Sequence, residues 1–156
     1  MLPANSKIIC ASVLMLVGIF LISCNDDVID EPKTLTELLT ESRWKVTKLT
    51  ITPPISGTTD LFENTMLCEQ DNEYVFGGDV VFALDEGLTK CNEDDPQIKR
   101  SGSWAFNSTQ TVLTTITDTL MVNLTIITLN DSLLHGTFQQ NIEGTQYVIT
   151  QTFSNQ

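Results

Sequence analysis

Basic residues are scarce in this sequence. It has 8 of them among 156 residues, against 20 acidic residues, so the formal net charge is −12. Recognition of nucleic acid needs a surplus of lysine and arginine against the phosphates, and this balance excludes that class of protein. The same shortage excludes attachment to anionic lipid through a basic patch. At this length the chain holds one modest domain rather than two independent cores.

Residues suited to catalysis are scarce as well. The single histidine, His135, lies in a segment of strand-like composition, and no Gly-x-Ser-x-Gly motif accompanies it. We therefore interpret His135 as a structural residue. Carboxylates are plentiful, but nothing places two of them across a cleft, as glycoside hydrolysis requires. The sequence predicts no enzymatic activity, no catalytic residue and no cofactor.

The hydrophobic segment near the start is short for a membrane span. Residues 8–22 are 15 uncharged residues, whereas a transmembrane helix needs about 20. This length suits the hydrophobic region of a signal peptide, and Lys7 precedes it. Leu21-Ile22-Ser23-Cys24 at its end resembles the lipobox of bacterial lipoproteins, whose peptidase cleaves before a diacylglyceryl-modified cysteine. We predict that residues 1–23 are a lipoprotein signal peptide and that Cys24 carries the lipid, including palmitate.

An acidic tether is predicted over residues 24–33. Four of the seven residues 25–31 are acidic, and a segment of this composition cannot bury a core. Such a run directly after the lipidated cysteine resembles the surface-export signal of some Gram-negative lipoproteins, although a plain linker has the same composition. We expect an outer-membrane lipoprotein of the cell envelope that contacts the membrane through the acyl chains on Cys24. Its orientation, periplasmic or surface-facing, stays open.

Four cysteines reduce to two in the mature chain. Cys10 leaves with the signal peptide and Cys24 is acylated, so Cys68 and Cys91 remain in an exported domain. Exported thiols meet oxidising conditions, which predicts a Cys68–Cys91 disulfide. Zinc binding is the alternative, but two isolated cysteines without a nearby histidine are a poor donor set.

The domain over residues 34–156 is predicted to be all-β. A short helix is predicted over 36–42, capped by Thr34 or Thr36, and no helix is long enough for a parallel crossover. The eight predicted strands cover 44–51, 73–76, 80–84, 103–106, 111–117, 120–129, 133–140 and 145–153. Short, evenly spaced strands predict an eight-stranded antiparallel up-and-down barrel, with a two-sheet β-sandwich as the alternative.

Three local features accompany the predicted strands. Pro53-Pro54 is expected to stop the first strand. Gly77-Gly78-Asp79 predicts a hairpin, because glycine readily adopts positive φ. The hydrophobic alternation slips at Ile126-Ile127, which predicts a β-bulge.

A set of weak motifs occurs in a characteristic order. They are the leader, the lipobox cysteine, the acidic tether, the short helix, Trp44, Pro53-Pro54, Cys68, the strand 72–76, Glu86-Gly87, Cys91, Asp95-Pro96 and Gly102-Ser103-Trp104. Together they resemble the lipocalin-like domain of many secreted bacterial lipoproteins, over about residues 35–156. The resemblance implies a small antiparallel barrel and no established enzymatic activity.

Eight aromatic residues are the candidates for an apolar ligand pocket in the barrel. They are Trp44, Tyr74, Phe76, Phe82, Trp104, Phe106, Phe138 and Tyr147. A barrel of eight strands is just wide enough to be filled by side chains or to hold one small ligand. Two functions follow: a lipid-anchored module that binds a small hydrophobic or amphiphilic ligand, or an interaction protein with a filled barrel whose acidic loops contact a protein, glycan or cation. An apolar void above about 300 Å³ would favour the first.

Short motifs offer residues for two further kinds of site, a calcium site and an O-glycosylation site. Glu93-Asp94-Asp95 and the pair Asp71 and Glu73 offer hard oxygens for calcium, but they lack the spacing of a calcium loop, so we predict a solvated acidic rim and no metal. Thr119 and Ser132 lie in Asp-Thr-Leu and Asp-Ser-Leu tripeptides, which resemble the acceptor of a bacterial O-glycosylation system. Both are at predicted turns, where an enzyme has access.

Overall fold

Strands account for most of the domain. The computed structural model describes residues 31–118 and 120–156. Its elements are helix α1 (Leu35–Thr40) and the strands β1 (Arg43–Ile55), β2 (Thr58–Asp60), β3 (Glu73–Phe76), β4 (Val81–Asp85), β5 (Ile98–Phe106), β6 (Val112–Thr117), β7 (Met121–Leu129), β8 (Leu133–Ile142) and β9 (Thr145–Asn155). The predicted signal peptide, Cys10, Cys24, the start of the tether and Thr119 lie outside the described residues. In the described part of the chain, no helix has the length and hydrophobicity to cross a membrane.

The strands form one closed antiparallel sheet. From β3 to β9 each strand pairs with the next along the chain, and β1 pairs with both β3 and β9. The closing ladder runs from Trp44 opposite Asn155 to Thr52 opposite Val148. Strand β2 only extends the sheet beside the far half of β1. The predicted eight-stranded up-and-down barrel is therefore confirmed, and the alternative of a two-sheet sandwich is wrong.

Helix α1 closes one end of the barrel. Thr34 caps it with a capping box, since its hydroxyl accepts from the Glu37 N–H at 3.2 Å and the Glu37 carboxylate accepts from the Thr34 N–H at 2.7 Å. The helix presents Leu39, which is fully buried, to the core. The indole N–H of Trp44 donates to the Leu39 carbonyl at 2.9 Å, and this bond fixes the helix to the first strand. The predicted cap at Thr34 is confirmed.

The buried core lies next to this closed end. Its members are inward-facing residues from the helix and from most strands of the barrel. They are Leu39, Trp44, Phe76, Phe82, Leu84, Trp104, Leu113, Leu124, Leu134 and Phe153. Several of the rings meet edge to face, among them Phe76 and Trp104 at 6.1 Å between centroids. Packing is therefore tight at one end of the barrel.

The first strand does not stop at the two prolines. Strand β1 continues through Pro53 and Pro54 to Ile55, with a cis peptide bond between Thr52 and Pro53. Thr52 is the last residue of β1 that pairs with β9, and the pairing with β2 is irregular between Thr50 and Ile55. Because the prolines lie at this irregular edge, their missing N–H groups remove no ladder bond. The predicted stop is wrong for that reason.

The predicted hairpin at residues 77–79 forms, but its stated cause is wrong. Strands β3 and β4 pair directly, with Phe76 opposite Phe82. The residue with positive φ is Val80, at 62°, rather than Gly77 or Gly78. The turn is instead fixed by Trp104, whose indole N–H donates to the Gly77 carbonyl at 2.9 Å and whose backbone N–H donates to the Val80 carbonyl at 2.9 Å.

Two other strand predictions are resolved by the pairing registers. The register between β7 and β8 shifts between Ile126 and Thr128, so the predicted bulge is confirmed. Strand β5 begins at Ile98, five residues before the predicted start at Ser103. Its early half, which includes Lys99 and Arg100, has polar residues on both faces and so lacks hydrophobic alternation.

The predicted disulfide is present between the two long loops. Cys68 and Cys91 are bonded, with their Cα atoms 5.1 Å apart and a sequence separation of 23. Cys68 belongs to a 3₁₀ helix (Leu67–Glu69) in the connection from β2 to β3, and Cys91 lies between β4 and β5. The bond therefore joins the two loops that flank the short strands β3 and β4.

Reduction of this disulfide is expected to destabilise the barrel. A loop of this length contributes about 3.4 kcal/mol in the chain-entropy model, so a reductant should lower the midpoint of chemical denaturation measured by tryptophan fluorescence. The double variant Cys68→Ala/Cys91→Ala is the control, because its midpoint should be low with and without reductant. Equal midpoints for the oxidised and reduced wild type would contradict the prediction.

Candidate functional site

The barrel encloses a cavity beyond the packed core. Its volume is about 830 Å³, within the range of about 300–1,000 Å³ that is typical of small-molecule sites. The lining comes from strands around the ring and from Leu61 in the loop after β2. Leu120 and Met121 line it and are 46% and 60% exposed, so the cavity opens to solvent at the turn between β6 and β7. We call this opening the mouth.

The floor of the cavity is apolar and is shared with the core. Seven lining residues are also buried members of the core: Phe76, Phe82, Leu84, Leu113, Leu124, Leu134 and Phe153. A Cβ on Gly136 would lie 2.6 Å from the Thr125 carbonyl oxygen, so strands β7 and β8 approach too closely there for a side chain. The floor can bury hydrocarbon without a polar partner.

One charged side chain lines the cavity. It is Arg100, in the early half of β5, and none of the described lining residues is aspartate or glutamate. Arg100 is exposed to solvent, and it alternates in phase with Gly102 and with buried Trp104, so it lies at the rim of the cavity. Its partner across the ladder is Leu84, which in turn pairs with Tyr74. The cavity therefore has an apolar floor and a single cationic group on its wall.

Tyr74 and Gln151 lie beside Arg100. All three line both the main cavity and a smaller side recess of about 210 Å³. Burial raises the pKa of the Tyr74 hydroxyl, and a hydrogen bond to Gln151 and the positive charge of Arg100 oppose that rise. The Tyr74 ring also packs edge to face on Phe153, at 5.1 Å between centroids. Hydroxyl, amide and guanidinium groups thus meet on one side of the cavity, and the other polar residues of the described lining are uncharged.

The side recess lies under the loop from Leu61 to Asn72. This loop runs beside β1 where β3 has not yet begun, and the Leu61 N–H donates to the Leu49 carbonyl at 2.8 Å. Lys99 lines the recess and binds Glu69 at 2.7 Å, and its ammonium is also 3.3 Å from buried Glu86. The bond to Glu69 is the main reason that the pKa of Lys99 is raised. The carboxylate of the recess is therefore already paired.

Two buried polar atoms near the recess have no partner among the described residues. They are Oδ1 of Asn72, which lines the recess, and Oε2 of Glu86, whose residue is 1% exposed. Sequence reasoning had singled out Glu86 only as part of a family motif.

Several acidic residues of the loops are used in internal bonds. The Asp71 carboxylate accepts from the Leu88 N–H at 3.0 Å, the Thr89 N–H at 2.9 Å and the Thr89 hydroxyl at 2.8 Å. Burial alone would raise the pKa of Asp71, but these bonds outweigh it and hold the pKa below its usual range. Gly87 is required at this turn, since its φ is +71° and a Cβ would collide with the Asp71 carbonyl.

The carboxylate of Asp85 stabilises the loop that follows β4. Asp85 binds the Arg43 guanidinium at 2.6 Å and accepts from the Gln97 amide at 2.5 Å and the Gly87 N–H at 3.0 Å. Burial opposes ionisation here too, but these bonds from Gln97, Gly87 and Arg43 lower the pKa of Asp85. Arg43 also binds Glu73. These carboxylates stabilise the loops rather than face solvent as free anions.

The carboxylates that offer hard oxygens for calcium do not converge. Within residues 31–118 and 120–156, no group of three or more His, Cys, Asp or Glu side chains is arranged to hold a metal ion. Glu73 is paired with Arg43, and Asp71 is bonded to the turn at Thr89. In the segment Glu93-Asp94-Asp95, the Asp95 carboxylate accepts from the Asn92 amide at 3.3 Å.

The eight aromatic candidates fall into three groups. Tyr74, Phe76, Phe82 and Phe138 line the cavity. Trp44, Trp104 and Phe106 belong to the packed end below it, where both indoles are bonded to backbone carbonyls. Tyr147 lies in β9 near the turn from β8, outside both sets. Fewer aromatic residues line the pocket than the sequence predicted, because both tryptophans pack in the core and stabilise the barrel.

The remaining candidates lie away from the cavity. His135 is half-buried in β8, and its Nδ1 is 2.9 Å from the Thr152 hydroxyl of β9, which suits a structural role. Ser132 is exposed in the turn between β7 and β8, and its hydroxyl donates to Asn130 at 3.2 Å. Glycosylation at Ser132 and at Thr119 stays a prediction.

Arg100 is the site residue that sequence reasoning missed. The signal for it was present, because counting back from Trp104 in steps of two reaches Gly102 and then Arg100 on the same face. That count requires the strand to extend into a polar segment, and the predicted strand began only at Ser103.

The fold and the cavity define a class of protein: a closed eight-stranded antiparallel up-and-down β-barrel with an internal, mostly apolar cavity open at one end. The sequence matches the model of a family described as a domain of unknown function (DUF5004), over residues 22–151. The chain belongs to this family.

Solved structures similar to this chain include bovine odorant binding protein in two complexes. The complex with a selenium-containing odorant has 11% identity and a TM-score of 0.46, covering 81% of this chain and 76% of that chain. The complex with undecanal has 12% identity and a TM-score of 0.46, with the same coverage. A search of functionally described proteins finds no match.

Acid is expected to destabilise the loop bonds of Asp71 and Asp85. Because their pKa values in the folded state lie below the ordinary 3.8, the stability they contribute is present above that pH. It is lost as the pH falls through the lower, folded-state values. The Asp71→Asn variant should melt earlier than wild type at pH 7 and lose less on further acidification to pH about 2.5.

Melting followed by circular dichroism across this pH range tests the expectation. Asp94→Asn is the matched control, since the exposed Asp94 carboxylate accepts no hydrogen bond from the described part of the chain. An Asp71→Asn curve parallel to that of wild type over the whole range would show that Asp71 is not responsible.

Proposed function

We propose that this protein is a lipid-anchored, non-enzymatic binding module of the cell envelope, which holds a small hydrophobic or amphiphilic ligand in its barrel. The observation that carries the proposal is the cavity of about 830 Å³, with its apolar floor and its exposed mouth. A ligand that fills it would remove both its own hydrocarbon and the lining from water, which is the main driving force for such binding.

The alternative function is less well supported by the same geometry. An interaction protein with a filled barrel requires side chains to occupy the interior, and here they leave a large void. It also relies on acidic loops that are free to meet a partner. Asp71, Asp85 and Glu69 are bonded to residues of the same chain, so fewer loop carboxylates are free to bind a partner.

Anchoring to the membrane is proposed from the leader. The lipobox-like segment that ends at Cys24 and the acidic segment after it support attachment to the outer membrane through acyl chains. The Cys68–Cys91 disulfide supports a place outside the cytosol, since such bonds persist in oxidising compartments. A tethered barrel would keep its binding site close to a source of lipid-derived ligands.

Blocking the cavity should abolish binding. Thr115 lines the cavity from β6, between Trp104 and Val122 on the neighbouring strands, so Thr115→Trp places an indole in the void. We expect native mass spectrometry of the full chain, purified from membranes of its host, to show a small molecule on wild type. Its occupancy in Thr115→Trp should fall by at least about tenfold, equivalent to 1.4 kcal/mol.

The matched control is Thr150→Trp. Thr150 alternates with the inward residues Ile149 and Gln151 and so faces outward, where the same substitution leaves the cavity open. Occupancy should be unchanged in this control. Equal occupancy in both variants would place the molecule outside the barrel and refute the proposed site.

Acylation at Cys24 is tested separately. Cells fed a labelled palmitate analogue should produce a labelled protein that sediments with membranes, because each buried methylene adds about 0.8 kcal/mol of anchoring. Cys24→Ala should lose both the label and the sedimentation, whereas Cys10→Ala, within the predicted signal peptide, should keep both. A labelled Cys24→Ala protein would contradict the assignment.

A further inference from the structure

We infer that the cavity selects an amphiphile with an anionic headgroup, a single-chain carboxylate, which Arg100 binds while the chain enters the apolar floor. This inference rests on the proposed function, because it names the ligand class of the same cavity. It is carried by the placement of charge in the barrel rather than by the presence of a void.

The charge of the cavity is opposite to that of the protein. Acidic residues outnumber basic ones by 20 to 8 in the sequence, yet the described lining contains one arginine and no carboxylate. A barrel that holds only neutral hydrocarbon gains nothing from a cation at the rim of its cavity, whereas an exposed guanidinium there is accessible to an anionic headgroup. The exception therefore points to a ligand that carries negative charge.

Arg100 is available for such a partner. The cations of the described chain that form ion pairs are Lys33, Arg43 and Lys99, and they bind carboxylates at the surface or in the loops. Within residues 31–118 and 120–156, Arg100 makes no ion pair and donates no side-chain hydrogen bond. Glu69, which shares the side recess with it, is engaged by Lys99. The guanidinium is thus the unneutralised charge of the cavity wall.

The groups around Arg100 suit a carboxylate. The planar guanidinium offers parallel N–H donors that match two carboxylate oxygens. The Tyr74 hydroxyl and the Gln151 amide, which line the cavity beside it, can donate as well. A polyanionic headgroup would find only this one cation in the described lining. The geometry therefore favours a single negative charge.

The apolar part of the ligand has a defined direction. Arg100 comes two residues before Gly102, which pairs with Thr117 at the end of β6, so Arg100 lies towards the mouth. The core residues Phe82, Leu113 and Leu134 lie on the opposite side, towards helix α1. A chain that extends from the headgroup into the barrel would contact this floor, and its charged end would stay near solvent.

The test uses a pair of photoreactive ligands that differ only at the headgroup. Full-length protein in membranes isolated from its host is irradiated with a diazirine-bearing C16 fatty acid or with the corresponding fatty alcohol, and labelled peptides are identified by mass spectrometry. In wild type we expect the acid to label cavity peptides about ten to one hundred times more than the alcohol, the range for a charged hydrogen-bonded pair.

Two variants assign the preference to Arg100. Arg100→Gln should lose the preference for the acid while the alcohol still labels the cavity, which also reports an intact barrel. Lys48→Gln is the matched control, because it removes one positive charge from the exposed outer side of β1 and should keep the preference. Loss of labelling by both ligands in Arg100→Gln would make Arg100 a determinant of cavity shape and overturn the inference.

The outcomes separate this inference from the proposed function. Equal labelling of the cavity by acid and alcohol in wild type would overturn the anionic selectivity and leave a general apolar binding module. Labelling of the cavity by neither ligand would refute both, since the barrel would then take up no hydrocarbon chain. An acid preference that survives in Arg100→Gln would place the headgroup elsewhere and overturn the role of Arg100.

Discussion

Closure of the barrel depends on the ladder between the first and last strands. β1 and β9 pair from Trp44 to Thr52, and without that ladder the sheet would be an open ribbon with two unpaired edges. Closure fixes the number of strands in the ring at eight, and this number sets an interior that side chains can nearly fill. Whether a void remains then depends on which residues point inward.

The two ends of the interior use their side chains differently. Near helix α1, large rings face inward, and both indoles donate to carbonyls, so the barrel is packed and braced. Further along the strands, smaller inward residues such as Thr115 and Thr117 leave space. One half of the barrel thereby supplies the packed core, and the other half leaves the open volume that the proposed ligand would occupy. The packed core and the open volume are separated along the barrel axis.

Much of this fold could be predicted from the sequence. Alternating residues in the last third and the turn residues between them gave the meander, and Leu35, Leu38 and Leu39 gave the short helix with its Thr34 cap. The disulfide followed from the count of exported cysteines. These features depend on local chemistry or on a pairing with one possible partner, and so the sequence contains enough information.

The remaining features depend on contacts that the sequence pattern does not carry. Pro53 and Pro54 remain in β1 because of where β9 stops pairing, and Val80 adopts positive φ because Trp104 binds both ends of the turn. Arg100 was missed because the early half of its strand is polar on both faces, so no hydrophobic alternation indicated a strand there. The volume of the cavity could not be predicted either, since it depends on the sum of side-chain sizes around a closed ring.

The short strands β3 and β4, of four and five residues, affect how readily the barrel wall opens locally. In that part of the barrel wall, loops take the place of strands, and one disulfide and a few ion pairs cross-link them. Fewer backbone hydrogen bonds must break there than along the long strands, and local opening occurs mainly where such hydrogen bonds are few. We therefore expect the barrel wall beside the side recess to open more readily than the rest of the barrel.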